Sequence, residues 1–134
     1  KRLYREQRFN LKLPASSFTT DEAVKQELSE FFIMAQGVID CVIEREDGSL
    51  HLIDYKTDRL SKSELSQPEL ARERLIATHG IQLYYYSIAV ERIFGKAPAT
   101  VGIYSMHLGE EIKIDLADFA KQNNITIKSM KDTV

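Results

Sequence analysis

A mixed α/β fold, a sheet with helices packed on it, is what this sequence predicts, and three observations carry the prediction. Residues 4–13 and 33–57 show the two-residue period of strands, residues 61–94 change to a helical period, and strand character returns over 100–116. The resulting order of strand, hairpin, helix and strand belongs to layered α+β or mixed α/β architectures. With 134 residues, 43% of them hydrophobic, the chain is suited to one domain with an ordinary core, so residues 1–134 are read as a single unit.

Taken in order, "YREQRFNLKL" (residues 4–13) alternates Phe9, Leu11 and Leu13 with Arg8, Asn10 and Lys12, as a half-buried strand does. Pro14 and the polar run "ASSFTTDE" end it. Residues 22–32, "EAVKQELSEFF", fit a short helix, a strand or a loop. Residues 33–45 ("IMAQGVIDCVIER") and 49–57 ("SLHLIDYKT") flank "EDG" and predict a hairpin.

That hairpin has two registers. A two-residue Asp47-Gly48 turn closed by Glu46 and Ser49 sets Asp40 opposite Tyr55, on the face away from Asp54. A three-residue Glu46-Asp47-Gly48 loop, with Gly48 left-handed, pairs Arg45 with Ser49 and sets Asp40 opposite Asp54. The second is preferred because it gathers Asp40, Asp54 and Lys56 on one face. The first divides three ionisable groups between two mostly apolar faces, at a desolvation cost that neither face offsets.

From Ser61 the pattern is helical. "SKSELSQPELARERLIATHG" has Pro68 near a helix start and Gly80 as a break, and "IQLYYYSIAVERIFG" is a second helix closed by Gly95. "TVGIYSMHL" (100–108) and "EEIKIDL" (110–116) predict a further strand, or a hairpin across Gly109-Glu110. The last dozen residues predict a short terminal helix or a frayed end. No internal repeat or low-complexity segment is present.

Composition narrows the function classes. With 18 basic and 20 acidic residues the chain has no global basic field, so any nucleic-acid contact is local or shared with other parts of a larger protein. The single cysteine, Cys41, excludes an internal disulfide framework, a four-cysteine zinc site and a cysteine-held iron–sulfur cluster, and points to a reducing, cytoplasmic setting. No apolar run reaches the roughly 18 residues of a membrane span, and no signal-peptide pattern opens the chain. Opening on "KRLYREQRFN" without Met predicts a fragment of something longer.

The chemistry concentrates in the hairpin. Asp40 and Asp54 supply hard oxygen ligands suited to Mg²⁺, which takes one or two carboxylates together with waters and substrate phosphate, and the backbone carbonyl of Tyr55 lies between them as a further ligand. Lys56, two residues along the same strand face, is suited to hydrogen-bond an attacking water or to neutralise charge building on a phosphate. Taken alone, an Asp-x-Lys on a strand reads as a solvated face or a surface ion pair. Here both acids sit among apolar neighbours, in "GVIDCVIE" and "HLIDYK", where charges are normally paired or metal-bound. Metal-assisted phosphodiester hydrolysis fits that set.

"GVIDCVIE", "LHLIDYKTD" and "GIQLYYYSIAVERIFG" together resemble the Asp…Asp-x-Lys…Gln-x-x-x-Tyr series of RecB-type nucleases in the PD-(D/E)XK superfamily. Within it, they resemble most the C-terminal nuclease domain of AddA-type helicase–nuclease subunits. The resemblance covers residues 6 to 108 and implies a restriction-endonuclease-like core, a central mixed sheet with a catalytic hairpin flanked by helices. It implies that Asp40 and Asp54 bind Mg²⁺, with Mn²⁺ as a substitute, that Lys56 assists the nucleophile, and that Gln82 and Tyr86 line the site near DNA. "YREQRF" resembles the family's first core strand, whose glutamate falls on Glu6. It further implies a C-terminal position in a helicase–nuclease that processes double-strand breaks for recombinational repair. The partners it implies are single-stranded DNA from unwound duplex, the helicase portion of the same chain and a second helicase–nuclease subunit, with ATP used only outside these residues.

Gln82 and Tyr86 share a helix face irrespective of the resemblance, being four residues apart, although three consecutive tyrosines also fit simple packing. Arg59, Lys62, Arg72 and Arg74 are suited to guide a phosphate backbone, or, in "ARER", to solvate a helix. His51, His79 and His107 lack zinc-ligand spacing and read as surface or packing residues, and a metal-binding histidine carried by many RecB-type nucleases ahead of the first strand falls outside these residues. Two further readings stand beside the nuclease: a catalytically silent, nuclease-like DNA-binding or docking module, and a restriction or transposon-associated nuclease sharing the chemistry.

Overall fold

The alternation at the start of the chain forms β1 (Arg2–Pro14), a 13-residue strand with Phe9, Leu11 and Leu13 buried. A computed structural model describes residues 2–18 and 21–123. A 3-10 turn (Ala15–Phe18) and α1 (Glu22–Glu27), capped by the Asp21 carboxylate, follow β1. Residues 22–32 thus resolve into one short helix and a turn before β2 (Phe32–Glu44). β3 (Leu50–Lys56) completes the hairpin.

The loop between β2 and β3 takes the three-residue form. Arg45 N donates to Ser49 O at 2.8 Å, Gly48 N donates to Arg45 O at 2.9 Å, and Gly48 has φ +87°. Asp47 reinforces the turn by accepting from Ser49 N and Ser49 Oγ at 2.9 and 2.7 Å. The ladder runs from Glu44–Leu50 to Cys41–Ile53, and its next step sets Asp40 opposite Asp54.

After β3 come α2 (Lys62–Ser66), which carries a Ser61/Glu64 capping box, and α3 (Pro68–Phe94). Pro68 occupies the start of α3, where a missing amide hydrogen costs nothing, and Gly95 in the left-handed conformation ends it, its N–H bonded to Glu91 O. The expected break at Gly80 is absent; α3 is one helix of 27 residues. Gly80 has a packing reason instead. A Cβ there would stand 2.5 Å from Phe119 Cε2, so the glycine is the space into which that ring fits.

β4 (Thr100–Ser105) lies parallel to β3, the arrangement that a helical crossover such as α3 makes available. β5 (Glu110–Lys113) returns antiparallel through a wider loop than Gly109-Glu110 alone, with Ser105 opposite Glu110 and Gly109 at φ +70°. The expected strand over 110–116 is shorter than its apolar alternation suggested, because Asp115 accepts from Asp118 N and caps α4 (Leu116–Gln122). The terminal helix or frayed end expected for the last dozen residues lies outside the described residues apart from Asn123.

The sheet order is β1-β2-β3-β4-β5, mixed in direction, as in a restriction-endonuclease-like core. Its main buried layer is formed by Leu11, Leu13, Ile39, Val42, Leu50, Leu52 and Ile103 of the sheet with Leu75, Leu83, Ile88 and Val90 of α3. Gly80→Ala tests the α3–α4 contact. The substitution gains up to about 1 kcal/mol of helix propensity. Overpacking against Phe119 costs about 1–3 kcal/mol. A net loss of stability in urea unfolding is expected, reversed by adding Phe119→Leu; a net gain from Gly80→Ala alone would show that Phe119 does not need this space.

Candidate active site

The site forms where β2 and β3 part. The backbone ladder stops at Cys41–Ile53, and beyond it the Asp40 side chain takes over, its Oδ2 accepting from Tyr55 N at 2.9 Å. Asp54 and Lys56 stand on the same face of β3, with Lys56 Nζ 2.7 Å from Asp54 Oδ2. Lys56 Nζ also donates to Gln82 Oε1 at 2.8 Å, and Gln82 Nε2 donates to Tyr86 Oη at 3.0 Å. Two strands and one helix therefore bring Asp40, Asp54, Lys56, Gln82 and Tyr86 into one connected group.

Each member is oriented by its neighbours. The Gln82 amide accepts from an ammonium on one side and donates to a phenol on the other, which fixes which end of the amide faces Lys56. Tyr86 is held by Phe9, whose ring meets it edge-on with centroids 5.4 Å apart, and Phe9 lies close over Gly37, where a Cβ would meet its Cζ at 3.0 Å. Burial is the main cause raising the Tyr86 phenol above its ordinary value, and the Asp54 and Asp40 charges act the same way. Tyr86 therefore stays a neutral hydrogen-bond donor across the physiological range.

Asp54 is the most perturbed carboxylate, only 3% exposed. Burial, then the adjacent Asp40 carboxyl, push it from 3.8 up to about 6, against the opposing pull of Lys56. Its Oδ2 lies close to Lys56 Nζ without hydrogen-bond alignment, leaving a buried anionic oxygen short of a true donor. Two converging carboxylates, one with such an oxygen, fit a hard divalent cation that brings its own waters. Among the described residues no group of three or more His, Cys, Asp or Glu side chains converges as a fuller metal cage.

Glu6 stands across from Asp40, between the Arg5–Cys41 and Gln7–Ile39 pairs, but is exposed and takes no part in the Lys56–Gln82–Tyr86 chain. Its φ is +50°, a region that non-glycine residues rarely occupy. The distortion shifts the phase of β1. Tyr4 and Phe9, five residues apart, both pack on α3, against Phe94 and Tyr86.

Arg59 and Lys62 are exposed just beyond β3. Arg72 is instead paired with Glu69 and Glu110, and Arg74 with Glu64, so these two follow the ion-pair reading of "ARER". Each of the three histidines takes a polar partner within the fold. His51 sits between Thr100 and Glu111, and His107 Nδ1 accepts from Leu60 N at 2.8 Å. His79 binds Asp58, a contact that sequence reading missed; its one trace was an acid two residues past Lys56 in "DYKTD".

A sequence profile of the PD-(D/E)XK nuclease superfamily matches residues 4–131. Among curated proteins, an ATP-dependent helicase/nuclease subunit of Thermoanaerobacter sp. (strain X514) is 38% identical over 104 residues, 78% of this chain and 8% of that protein. The protein of the same name from Geobacillus thermodenitrificans (strain NG80-2) is 36% identical over 103 residues, 77% of this chain. That from Clostridium botulinum (strain Alaska E43 / Type E3) is 34% identical over 113 residues, 84% of this chain. The chain spans about 8% of the length of each of these relatives. Among the described residues no helix is long and apolar enough to cross a membrane.

Proposed function

The chain belongs to the PD-(D/E)XK nuclease superfamily, and on that basis we propose that it is the nuclease domain, residues 1–134, of a cytoplasmic ATP-dependent helicase–nuclease. It hydrolyses DNA phosphodiesters with Mg²⁺, or Mn²⁺ in its place, during double-strand end processing for recombinational repair. The helicase portion of the same protein feeds it single strand, a second helicase–nuclease subunit completes the assembly, and ATP is consumed outside these residues. The observation that carries the reading is the convergence of Asp40 and Asp54 with a lysine locked to Gln82.

Asp40 and Asp54 would hold the cation, with the Tyr55 carbonyl beside them. When bound, it supplies charge neutralisation and makes water more acidic. Lys56 is held by its hydrogen bond to Gln82 and its ion pair with Asp54, so its ammonium is aimed rather than free and keeps N–H groups for a water or a non-bridging phosphate oxygen. Tyr86, whose oxygen accepts from Gln82, keeps its own proton to donate. Water attacks phosphorus in line with the departing sugar oxygen. Arg59 and Lys62 meet the backbone as the strand leaves the site, without reading sequence.

Isothermal titration of the intact protein with Mn²⁺ tests the reading. Binding is expected, and Asp40→Asn should weaken it by at least about tenfold to a hundredfold, the loss that even outer partners of a metal ligand produce. Chelator should stop cleavage and added Mg²⁺ restore it. Binding that ignores Asp40→Asn would favour the silent docking module.

A further inference from the structure

We propose that Asp58 and His79 are positioning residues that fix Lys56 for catalysis, by fastening the segment that leaves β3 to the same face of α3 that carries the lysine's acceptor. The role rests on the nuclease reading above. Lys56 ends its strand, and a lysine side chain is a flexible stem with a compact charge. Its ammonium holds one place only if both its backbone and its acceptor are held. The acceptor, Gln82, belongs to α3. The backbone is fixed on the sheet side by Met106 N, which donates to Lys56 O at 3.0 Å.

The other side is the clamp. His79 Nε2 lies 3.0 and 2.9 Å from the two carboxylate oxygens of Asp58, two residues after Lys56. His79 is three residues before Gln82, hence on the same helix face one turn away. The two side chains are 17% and 23% exposed, so the contact is largely withdrawn from water. The hydrogen bond from His79 is the leading cause that holds the Asp58 carboxyl below its ordinary value, which agrees with a formed contact. The turn beyond is anchored separately, Arg59 O accepting from Arg74 Nη2 at 3.1 Å and Leu60 N donating to His107. Of these contacts, only the one from Asp58 reaches the turn of α3 next to Gln82.

A clamp that merely stabilised the turn would change stability without changing Lys56. In the intact protein, His79→Ala is expected to lower kcat on single-stranded DNA roughly tenfold, the lower range for outer partners of a catalytic site. KM and Mn²⁺ affinity should not move. Lys56 should be acetylated faster by an acetylating reagent, as read by peptide mass spectrometry. His79→Gln, whose amide also donates to Asp58, should restore both readouts. If His79→Ala fails to fold, Asp58→Asn, which keeps the shape and weakens the charge-assisted bond, should show the same two changes in smaller measure. Unchanged kcat or unchanged Lys56 acetylation in the folded variants overturns the clamp. Should the wild-type protein not cleave DNA, the nuclease reading falls, and the acetylation rates still decide whether Asp58 and His79 hold Lys56.

Discussion

Lys56→Ala is expected to lower DNA cleavage by about a hundredfold to a thousandfold in kcat, the range seen when one preorganised donor to a reacting anion is removed. The argument is geometric. Among the described residues Lys56 is the cation paired with Asp54, and it is aimed by Gln82 and indirectly by Tyr86. On the proposed mechanism its removal deletes a donor to the reacting phosphate, so most of the effect should fall on kcat, with KM for DNA little changed. Gln82→Ala leaves the lysine present and unaimed, so it should cost less, and Tyr86→Phe less again, since that hydroxyl touches Lys56 only through the amide. The order Lys56, Gln82, Tyr86 in single-turnover rates is the result to look for. Equal losses from all three would mean that they act as one unit without an order, and wild-type rates in Lys56→Ala would remove the lysine from the mechanism.

Much of this arrangement was legible in the sequence because it depends on local rules. The hairpin register follows from one loop length and one left-handed glycine, and once Arg45 faces Ser49 the two acids must meet. Helical spacing puts Gln82 and Tyr86 on one face, and the resemblance to RecB-type nucleases is what assigned that face to the site. What was not legible depends on residues distant in the chain. Gly80 reads as a helix breaker until Phe119, from an element well over thirty positions further on, is seen to occupy the missing side chain's place. Ile112, Ile114 and Leu116 alternate like a strand, and only the Asp115 cap shows that the last of them begins a helix. The Asp58–His79 contact spans 21 residues and carries no spacing signature at all. Glu6 enters only through the resemblance of "YREQRF" to a first core strand, and neither its positive φ nor the phase change that lets both Tyr4 and Phe9 face α3 has a signature in the local sequence.

The price of the site should be measurable as stability. Asp54 is buried, and its carboxyl is raised from 3.8 to about 6. An acid raised by folding binds its proton more tightly in the folded state, so stability is highest while the group is protonated. It falls as pH rises from the unfolded value toward the folded one, and is level above about 6. At ~1.4 kcal/mol for each pH unit, the ionised carboxylate costs the metal-free fold about 3 kcal/mol. Asp54→Asn removes that charge, though it also deprives Lys56 of its carboxylate. The metal-free variant is therefore expected to be more stable than wild type at pH 7.5 by about 1–2 kcal/mol in urea unfolding, with the gap closing toward about pH 4, where wild-type Asp54 is neutral. Mg²⁺ should reverse the ranking, because it stabilises only a fold able to bind it, by an amount that grows with its concentration over Kd. The same variant should have lost cleavage. A metal-free Asp54→Asn protein less stable than wild type under those conditions would mean that the Lys56 ion pair outweighs the burial of the carboxylate, and that the charges at the end of β3 support the fold as well as the chemistry.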